Sequence, residues 1–222
     1  DSCDGKIVSE IVITPRDPSF LAVPRPLRAV ARAVGVIHTT STRQTISRFL
    51  LVGVGERCTE KHRAESERIL RLQPFLADAT VRAVPDGADG VRIDVETIDE
   101  IPTVADMRVR NGRASQFRFG NGNVGGQGLY LAASVERGLA YRTGYAAHGV
   151  ANQVLGRPFM LEVDAERAPL GGELTVAFGH AFVTDLQRNA WHLGVTDVNR
   201  YVSFNPPDGD AQSLEVRRRF WD

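Results

Sequence analysis

The chain lacks a long apolar run and lacks an excess of charge of one sign. Its 222 residues carry 27 Lys and Arg against 27 Asp and Glu, so no net field attracts nucleic acid and we expect no nucleic-acid partner. No apolar stretch approaches the ~20 residues that a membrane helix needs. Residues 49–54 are too short, and Arg32 interrupts residues 29–37. A membrane role would therefore have to be built from β-strands.

Cysteine is scarce as well, since Cys3 and Cys58 are the only two. They lack the close spacing of a zinc or redox motif. In an oxidising compartment they can form one disulfide, which would stabilise the fold by about 4 kcal/mol in the chain-entropy model. Two buried free thiols are the alternative, and the sequence leaves both open.

The chain offers little that points to catalysis or to a cofactor. Gly120-Asn-Gly-Asn-Val-Gly125 fits G-x-G-x-x-G, but that motif binds pyrophosphate only where a strand meets a helix, and the residues that follow alternate like a strand. The histidines are scattered, and no serine lies in a nucleophile elbow. Glu162, Asp164 and Glu166 share one strand face and could act as acid and base, but a polar lumen face explains them more simply. We expect a non-enzymatic protein without cofactor or metal.

The first hundred residues predict a small unit of strands and helices. Thr42 and Thr59 can cap helices, and Val91, Ile93 and Val95 alternate with polar residues as in a half-buried strand. The expected elements are a strand at 6–14, helices at 26–33, 42–51 and 59–72, and strands at 78–84 and 90–97.

The rest of the chain alternates apolar and polar residues. Six such segments begin near residues 116, 129, 139, 159, 173 and 191, and glycine-rich turns separate them. Transmembrane β-strands have this pattern, but a soluble antiparallel sandwich alternates in the same way. Taken alone, the pattern favours the sandwich.

The order of these features resembles the Omp85 superfamily of outer-membrane proteins. Residues 42–100 resemble its periplasmic module, the POTRA domain, through Glu65-Ser-Glu-Arg-Ile-Leu-Arg71, Pro74-Phe-Leu-Ala-Asp78 and Val91-Arg-Ile-Asp-Val95. The region from Phe117 resembles the start of a barrel of the bacterial surface antigen type. The motifs there are Phe119-Gly-Asn-Gly-Asn-Val-Gly-Gly-Gln-Gly128, Asn152-Gln-Val-Leu-Gly-Arg-Pro158 and Gly179-His-Ala-Phe182. This resemblance reverses the preference for a sandwich.

The resemblance implies an α+β POTRA domain with the order β-α-α-β-β and an inserted helix, followed by antiparallel β-strands of an incomplete transmembrane β-barrel. The expected divisions are a periplasmic domain at 1–100, a linker at 101–112 and barrel strands at 113–222. Five to seven strands fit the last region, whereas a barrel needs at least eight. The chain also ends at Phe220-Trp-Asp222 in mid-pattern, so we expect a fragment of a longer protein. A start without methionine fits either such a fragment or a removed signal peptide.

The resemblance also implies a function in the bacterial outer membrane, with the N-terminal domain in the periplasm. The expected partners are unfolded outer-membrane or secreted client proteins, outer-membrane lipid and periplasmic accessory proteins. A dedicated secretion pore and a barrel that anchors a lipase-linked enzyme are alternatives within the superfamily. A soluble β-rich binding module is a rival from another class.

Two strand edges are the expected binding sites, because an edge strand can accept an unfolded chain by β-augmentation. The family is thought to receive clients at the second strand of the module and to open at the first strand of the barrel. The expected client-binding edge is Asp78, Ala79, Thr80, Val81, Arg82, Ala83 and Val84. The expected barrel seam is Ser115, Gln116, Phe117, Arg118, Phe119 and Gly120.

Overall fold

The computed structural model describes residues 3–18, 39–137, 143–205, 209–210 and 212–222. Within these ranges the chain forms eleven strands, two α-helices and one short 3-10 helix. The strands are β1 Ile7–Arg16, β2 Leu76–Asp86, β3 Gly90–Asp99, β4 Thr103–Arg110, β5 Arg113–Asn121, β6 Leu129–Glu136, β7 Gly144–Ala151, β8 Met160–Ala168, β9 Gly171–His180, β10 Trp191–Phe204 and β11 Gln212–Trp221. The helices are α1 Arg43–Ser47 and α2 Glu60–Arg71, and the 3-10 helix is Val124–Gly126.

The first three strands form a mixed sheet in the order β1-β3-β2. Strand β3 is central, parallel to β1 and antiparallel to β2. Its inward residues Val91, Ile93 and Val95 are buried, as their alternation predicts. They pack with side chains of α1 and α2 such as Ile46 and Leu70 into one apolar core. We call β1–β3 with α1 and α2 the N-terminal unit.

Both helices begin at the threonines that the sequence indicates. The Thr59 hydroxyl accepts a hydrogen bond from His62 N at 3.2 Å, and α2 then runs nearly as predicted. Thr42 caps α1 in the same way, but α1 ends at Ser47 instead of residue 51. The reason is tertiary, because Leu51 N donates to Ser66 Oγ of α2 at 2.8 Å. No helix in the described part of the chain combines the length and apolar character needed to cross a bilayer.

A disulfide links Cys3 to Cys58, with a Cα–Cα distance of 5.6 Å. Both residues are fully buried. The bridge therefore joins the segment before β1 to the residue just before the cap of α2, and it closes a loop with a sequence separation of 55.

The remaining strands form one eight-stranded sheet in the order β4 to β11. Every neighbouring pair is consecutive in sequence and antiparallel, so the chain runs up and down. Asn111 and Gly112 join β4 to β5 with φ values of 51° and 72°. Two positive φ angles are what a type I′ hairpin turn requires.

The predicted fold class is wrong. The N-terminal unit does follow the order strand, helix, helix, strand, strand, but the chain as a whole is mostly antiparallel β, and an α+β POTRA class does not describe it. Its two α-helices have five and twelve residues, against an eight-stranded sheet. The predicted helix at 26–33 lies outside the described residues.

The expected linker at 101–112 is also wrong, because β4 occupies it. The sheet begins one strand earlier than we expected, and β11 adds a strand at its other end, so it has eight strands rather than five to seven. The segment predicted at 139–146 is shifted to Gly144–Ala151. Cross-strand pairing, rather than local alternation alone, decided these boundaries.

Candidate functional site on the eight-stranded sheet

One face of the eight-stranded sheet is apolar and exposed. The pairing register places Phe119, Ala133, Ala147, Ala165 and Leu174 in one row across β5 to β9. Phe119 is 64% exposed and Leu193, on the same face of β10, is 62% exposed. Among the described residues, the apolar core cluster contains no member of this sheet. We call this surface the apolar face, and its other large side chains include Met107, Phe117, Leu131, Tyr145, Val163, Val176, Phe178 and Trp191.

The opposite face, which we call the polar face, carries most of the charged side chains of the same strands, whereas Arg167 pairs with Tyr145 on the apolar face. The polar face lines a groove of about 580 Å³ between β5 and β9. The side chains along this groove include Gln116, Arg118, Ser134, Glu136, His148, Asp164, Glu166, Glu173 and Thr175. Ala132 and Ala177 also lie on this face and are buried. The predicted acid and base group of Glu162, Asp164 and Glu166 therefore belongs to a polar sheet surface.

A group of possible metal ligands lies on the polar face. The donor atoms of His148, Glu162 and Asp164 are all within 4.8 Å of one another. His148 Nδ1 and Asp164 Oδ1 are 2.5 Å apart, across a direct cross-strand pair of β7 and β8. The imidazole and the carboxylate satisfy each other in this arrangement, and all three side chains are partly open to solvent.

The apolar stretch shifts steadily from strand to strand. In β5 the apolar stretch is centred on Arg118, which lies between Phe117 and Phe119. The residues paired with this position on the successive strands are Ser134, Ala146, Glu166, Glu173 and, in β10, Val198. The apolar stretch of β10 is instead centred on Leu193. The apolar stretch is thus displaced by about five residues over about five strand steps. At about 3.3 Å per residue and about 4.8 Å per strand, this displacement means that the strands are tilted by about 35° from the perpendicular to the apolar band.

This tilt explains an apparent exception to the two-faced pattern. Asp197 lies on the same face as Leu193 and pairs with Arg217 and Arg219 of β11, at 3.1 Å and 2.5 Å. Asp197 is four residues beyond the centre of the apolar stretch in β10. In a tilted sheet these charges therefore lie past the edge of the apolar band and not within it.

Aromatic rings collect at the other boundary of the band. Phe178 and Trp191 have ring centroids 5.1 Å apart, and Phe159 contacts both at 5.8 Å and 5.6 Å. The Arg157 guanidinium lies 6.0 Å from the Phe159 ring centroid. These rings lie next to the turns that face the N-terminal unit, so the apolar band has an aromatic border on that side.

A buried polar cluster holds the N-terminal unit against the β5–β6 turn. Asn123 is 1% exposed. Its amide donates to Ser41 Oγ at 2.9 Å, and its carbonyl accepts from Gly128 N at 2.7 Å. Asp99 Oδ2 accepts from Ser41 N at 2.7 Å. No local pattern predicts these contacts, because the partners are far apart along the chain.

Two glycines that follow the dinucleotide-like motif, Gly126 and Gly128, lie in this junction. A Cβ on Gly126 would lie 2.2 Å from Thr40 O, and one on Gly128 would lie 2.8 Å from a Phe75 ring carbon. Both residues have positive φ, at 68° and 67°. They permit close approach of two parts of the chain, and no phosphate-binding helix follows them, since β6 begins at Leu129.

Two further turns at the same end of the sheet touch the helices. Arg48 Nη1 donates to Gln153 Oε1 at 2.6 Å in the β7–β8 turn. Thr184, between β9 and β10, donates to Glu65 Oε2 at 2.8 Å. Hydrogen bonds from Arg68 and then from Thr184 lower the pKa of Glu65 below its ordinary value of 4.5. The N-terminal unit thus contacts three successive turns at one end of the sheet.

The expected client-binding edge, Asp78–Val84, lies in β2 at the border of the first sheet. Its outward backbone groups at Ala79 and Val81 are already bonded to side chains. Arg71 Nε donates to Ala79 O at 2.7 Å, Val81 N donates to Glu67 Oε2 at 2.9 Å, and Arg63 donates to Val81 O. Client binding at this edge stays a prediction, and it would require these bonds to be replaced.

The residues of the expected barrel seam, Ser115–Gly120, lie in β5. This strand pairs with β4 on one side and β6 on the other. It is therefore not the first strand of its sheet, and the terminal strands of the described sheet are β4 and β11. The Asn111-Gly112 pair between two alternating segments was the signal that could have identified β4.

Comparison with known proteins gives a likeness in fold. The structure is similar to a crystal structure of BamA from Haemophilus ducreyi lacking POTRA domains 1–3, with a TM-score of 0.52 and 11% sequence identity. The match covers 97% of this chain and 42% of that chain, so this chain spans less than half of its length. No protein-family model and no curated protein matches the sequence.

Proposed function

We propose that this chain is part of an Omp85-type protein of the bacterial outer membrane and that its eight-stranded sheet lies in the bilayer. The apolar face contacts lipid, and the polar face lines an aqueous interior. The observation that carries the proposal is the division of apolar and charged side chains between the two faces of β5 to β9, in which Arg167 near the end of β8 is the exception. Membrane barrels divide their side chains in this way.

The energetics favour lipid over water at the apolar face. Soluble monomers rarely expose contiguous apolar patches larger than a few hundred Å², whereas this face extends over six strands with side chains such as Phe119 and Leu193 more than half exposed. The tilt of about 35° agrees with the roughly 35–45° of membrane barrels. The aromatic border of Phe159, Phe178 and Trp191 agrees with the aromatic girdles found at bilayer interfaces.

Quenching of Trp191 fluorescence by brominated lipids tests this placement. The chain has two tryptophans, so a Trp221→Phe variant reports on Trp191 alone. In phosphatidylcholine vesicles we expect strong quenching when bromine is near the headgroup end of the acyl chain and weaker quenching when it is near the bilayer centre. Equal emission in brominated and ordinary lipid would refute the placement.

Within this setting we propose that the protein helps to assemble or insert other outer-membrane proteins, without a cofactor. The fold likeness to BamA supports this choice. Unfolded clients would be received at strand edges by β-augmentation. The N-terminal unit would lie in the periplasm, where its contacts with three turns hold it at one end of the sheet. Accessory proteins would bind there as well.

Depletion of the protein in its own cells tests the proposed activity. If it assembles many clients, the abundance of many different outer-membrane barrel proteins should fall together. Loss of a single exported protein would instead indicate a dedicated secretion pore. An unchanged outer-membrane protein profile would refute the assembly function.

A further inference from the structure

The charged side chains that point to the apolar face all lie near one of its two borders. Among the described residues of β6 to β11, the Asp, Glu, Lys and Arg side chains on this face are Arg167, Asp197, Glu215, Arg217 and Arg219. Each lies toward the turns that are remote from the N-terminal unit. The border next to the N-terminal unit has aromatic rings instead. The two borders of the apolar band therefore differ in their chemistry.

The height of these charges follows from the tilt of the sheet. The centre of the apolar stretch moves by about one residue per strand, so it lies near Val163 in β8 and at Leu193 in β10. Arg167 and Asp197 each follow that centre by four residues, and Arg219 pairs directly with Asp197. Four residues of about 3.3 Å, tilted by about 35°, rise about 11 Å. The apolar band of a membrane barrel extends about 12 Å from its middle. The charges thus lie where hydrocarbon meets lipid headgroups, and long arginine side chains can reach further outward.

Asp197 holds the two arginines of β11 by one side of each guanidinium group. Its carboxylate accepts from Nε and Nη2 of Arg217 at 3.3 Å and 3.1 Å, and from Nε and Nη2 of Arg219 at 3.2 Å and 2.5 Å. Neither Nη1 group bonds to a described residue. The arginine side chains are 69% and 54% exposed, whereas that of Asp197 is 22% exposed. The carboxylate therefore positions both guanidinium groups and leaves the N–H donors of their Nη1 atoms available.

Positive charge is in excess at the height of this border. One carboxylate is shared between the two guanidinium groups of β11. Glu215 lies two residues further from the apolar band than Arg217, and it accepts from Asn199 Nδ2 at 2.8 Å. The Arg167 guanidinium forms no hydrogen bond or ion pair within the described part of the chain. These arginines therefore have donors and charge to offer to an anion outside the protein.

We propose that Arg217 and Arg219 bind the phosphate group of an anionic lipid in the leaflet remote from the N-terminal unit. This inference rests on the proposed placement of the sheet in the bilayer. A lipid phosphate is the occupant because it lies at the height of these side chains, and because guanidinium groups bind phosphate oxygens through paired N–H donors. Anionic lipid surfaces attract arginine side chains that lie near them. Asp197 acts as a positioning residue for both arginines.

Quenching by brominated lipid tests the inference in the full chain. Trp221 is 73% exposed and follows Arg219 by two residues on the same face, so a Trp191→Phe variant reports on this border. The Trp221→Phe variant reports on the aromatic border. Each variant is placed in phosphatidylcholine vesicles that contain the same small fraction of either brominated phosphatidylglycerol or brominated phosphatidylcholine. The ratio of the two quenching effects measures the local preference for the anionic lipid.

We expect Trp221 to show a preference of about fivefold for the anionic lipid, which is the attraction of about one charge near an anionic surface. Trp191 should show no preference. Arg217→Gln and Arg219→Gln should each lower the preference at Trp221 by about twofold or more. The matched control is Arg218→Gln, which removes the same charge from the same strand but from the polar face. This control should leave the preference unchanged.

Three results would overturn the inference. These are no preference at Trp221, an equal preference at Trp191, or an equal loss of preference in Arg218→Gln. The comparison of the two tryptophans needs no arginine variant, so it is decisive even if such a variant does not fold. If brominated phosphatidylcholine quenches neither tryptophan, the placement in the bilayer is refuted as well. Quenching of both without any preference refutes this inference alone.

Discussion

Adjacent alanines in β7 allow a direct test of which face meets lipid. Ala147 is exposed on the apolar face, and Ala146 lies on the polar face, paired with Glu166 of β8. We therefore compare Ala147→Arg with Ala146→Arg. The two variants share the native residue, the new residue and the strand, and they differ only in the face that receives the charge.

The magnitude follows from the cost of placing arginine in hydrocarbon. Ala147 is flanked by Ala133 and Ala165 across the neighbouring strands, so a long side chain meets little steric hindrance and the cost is mainly desolvation. Near the bilayer midplane this cost is about 2–4 kcal/mol, which lowers the folding equilibrium constant by roughly 30- to 900-fold. At Ala146 the new guanidinium can pair with Glu166, and we expect a change of less than about 0.5 kcal/mol.

Reversible urea unfolding in phosphatidylcholine vesicles, followed by tryptophan fluorescence, measures both costs. The wild type and both variants are compared at one lipid-to-protein ratio, because binding to lipid contributes to the measured stability. If Ala147→Arg costs no more than Ala146→Arg, the apolar face does not contact lipid and the reasoning fails. A cost of equal size in the absence of lipid would also refute it, because the face would then be packed against protein.

Three further predictions concern the N-terminal unit. Replacing both cysteines, with Cys3→Ser and Cys58→Ser, should lower its free energy of unfolding by about 4 kcal/mol, and a shift of the urea midpoint equivalent to less than about 1 kcal/mol would contradict this. Hydrogen bonds from Arg68 and Thr184 lower the pKa of Glu65, so the contact of α2 with Thr184 should persist above pH 4.5 and weaken as the pH falls below it. A methyl NMR signal of Thr184 that titrates below pH 4.5 in the wild type, and not in Glu65→Gln, would verify this; identical titration in both would exclude it. Gly128→Ala should destabilise the junction by about 2–4 kcal/mol because its Cβ would meet Phe75, whereas Gly87→Ala, with φ of 74° and open space, should cost only about 1–2 kcal/mol. Equal costs in thermal unfolding would show that the junction is not tightly packed.

Much of the local structure could be predicted because it depends on short-range chemistry. The Thr59 cap and the buried side of α2 follow from capping and from a 3.6-residue repeat. The alternation of Val91, Ile93 and Val95 likewise gave β3 within two residues of its observed end. The strands β5, β6, β8, β9 and β10 were found for the same reason, since side chains of a strand alternate between its two faces.

Other elements could not be placed from the same signals. Strand β11 contains Arg217, Arg218 and Arg219, a run of charge without apolar and polar alternation, and Arg217 and Arg219 pair with Asp197 of β10. Strand β4 was assigned to the expected linker because it is a short strand with a charged face. The POTRA class was wrong because the order of a few elements was given more weight than the amount of strand in the chain.

The sequence by itself determined where apolar and polar side chains alternate, and therefore that these strands have two unlike faces. It could not determine which residues meet across the strands, because pairing joins positions that are far apart in the chain. Only the tertiary structure showed that the apolar stretches shift by about one residue per strand. It also showed that β5 is interior to its sheet and that side chains of α2 occupy the edge of β2. Edges and bands are properties of assembled strands, and no local pattern encodes them.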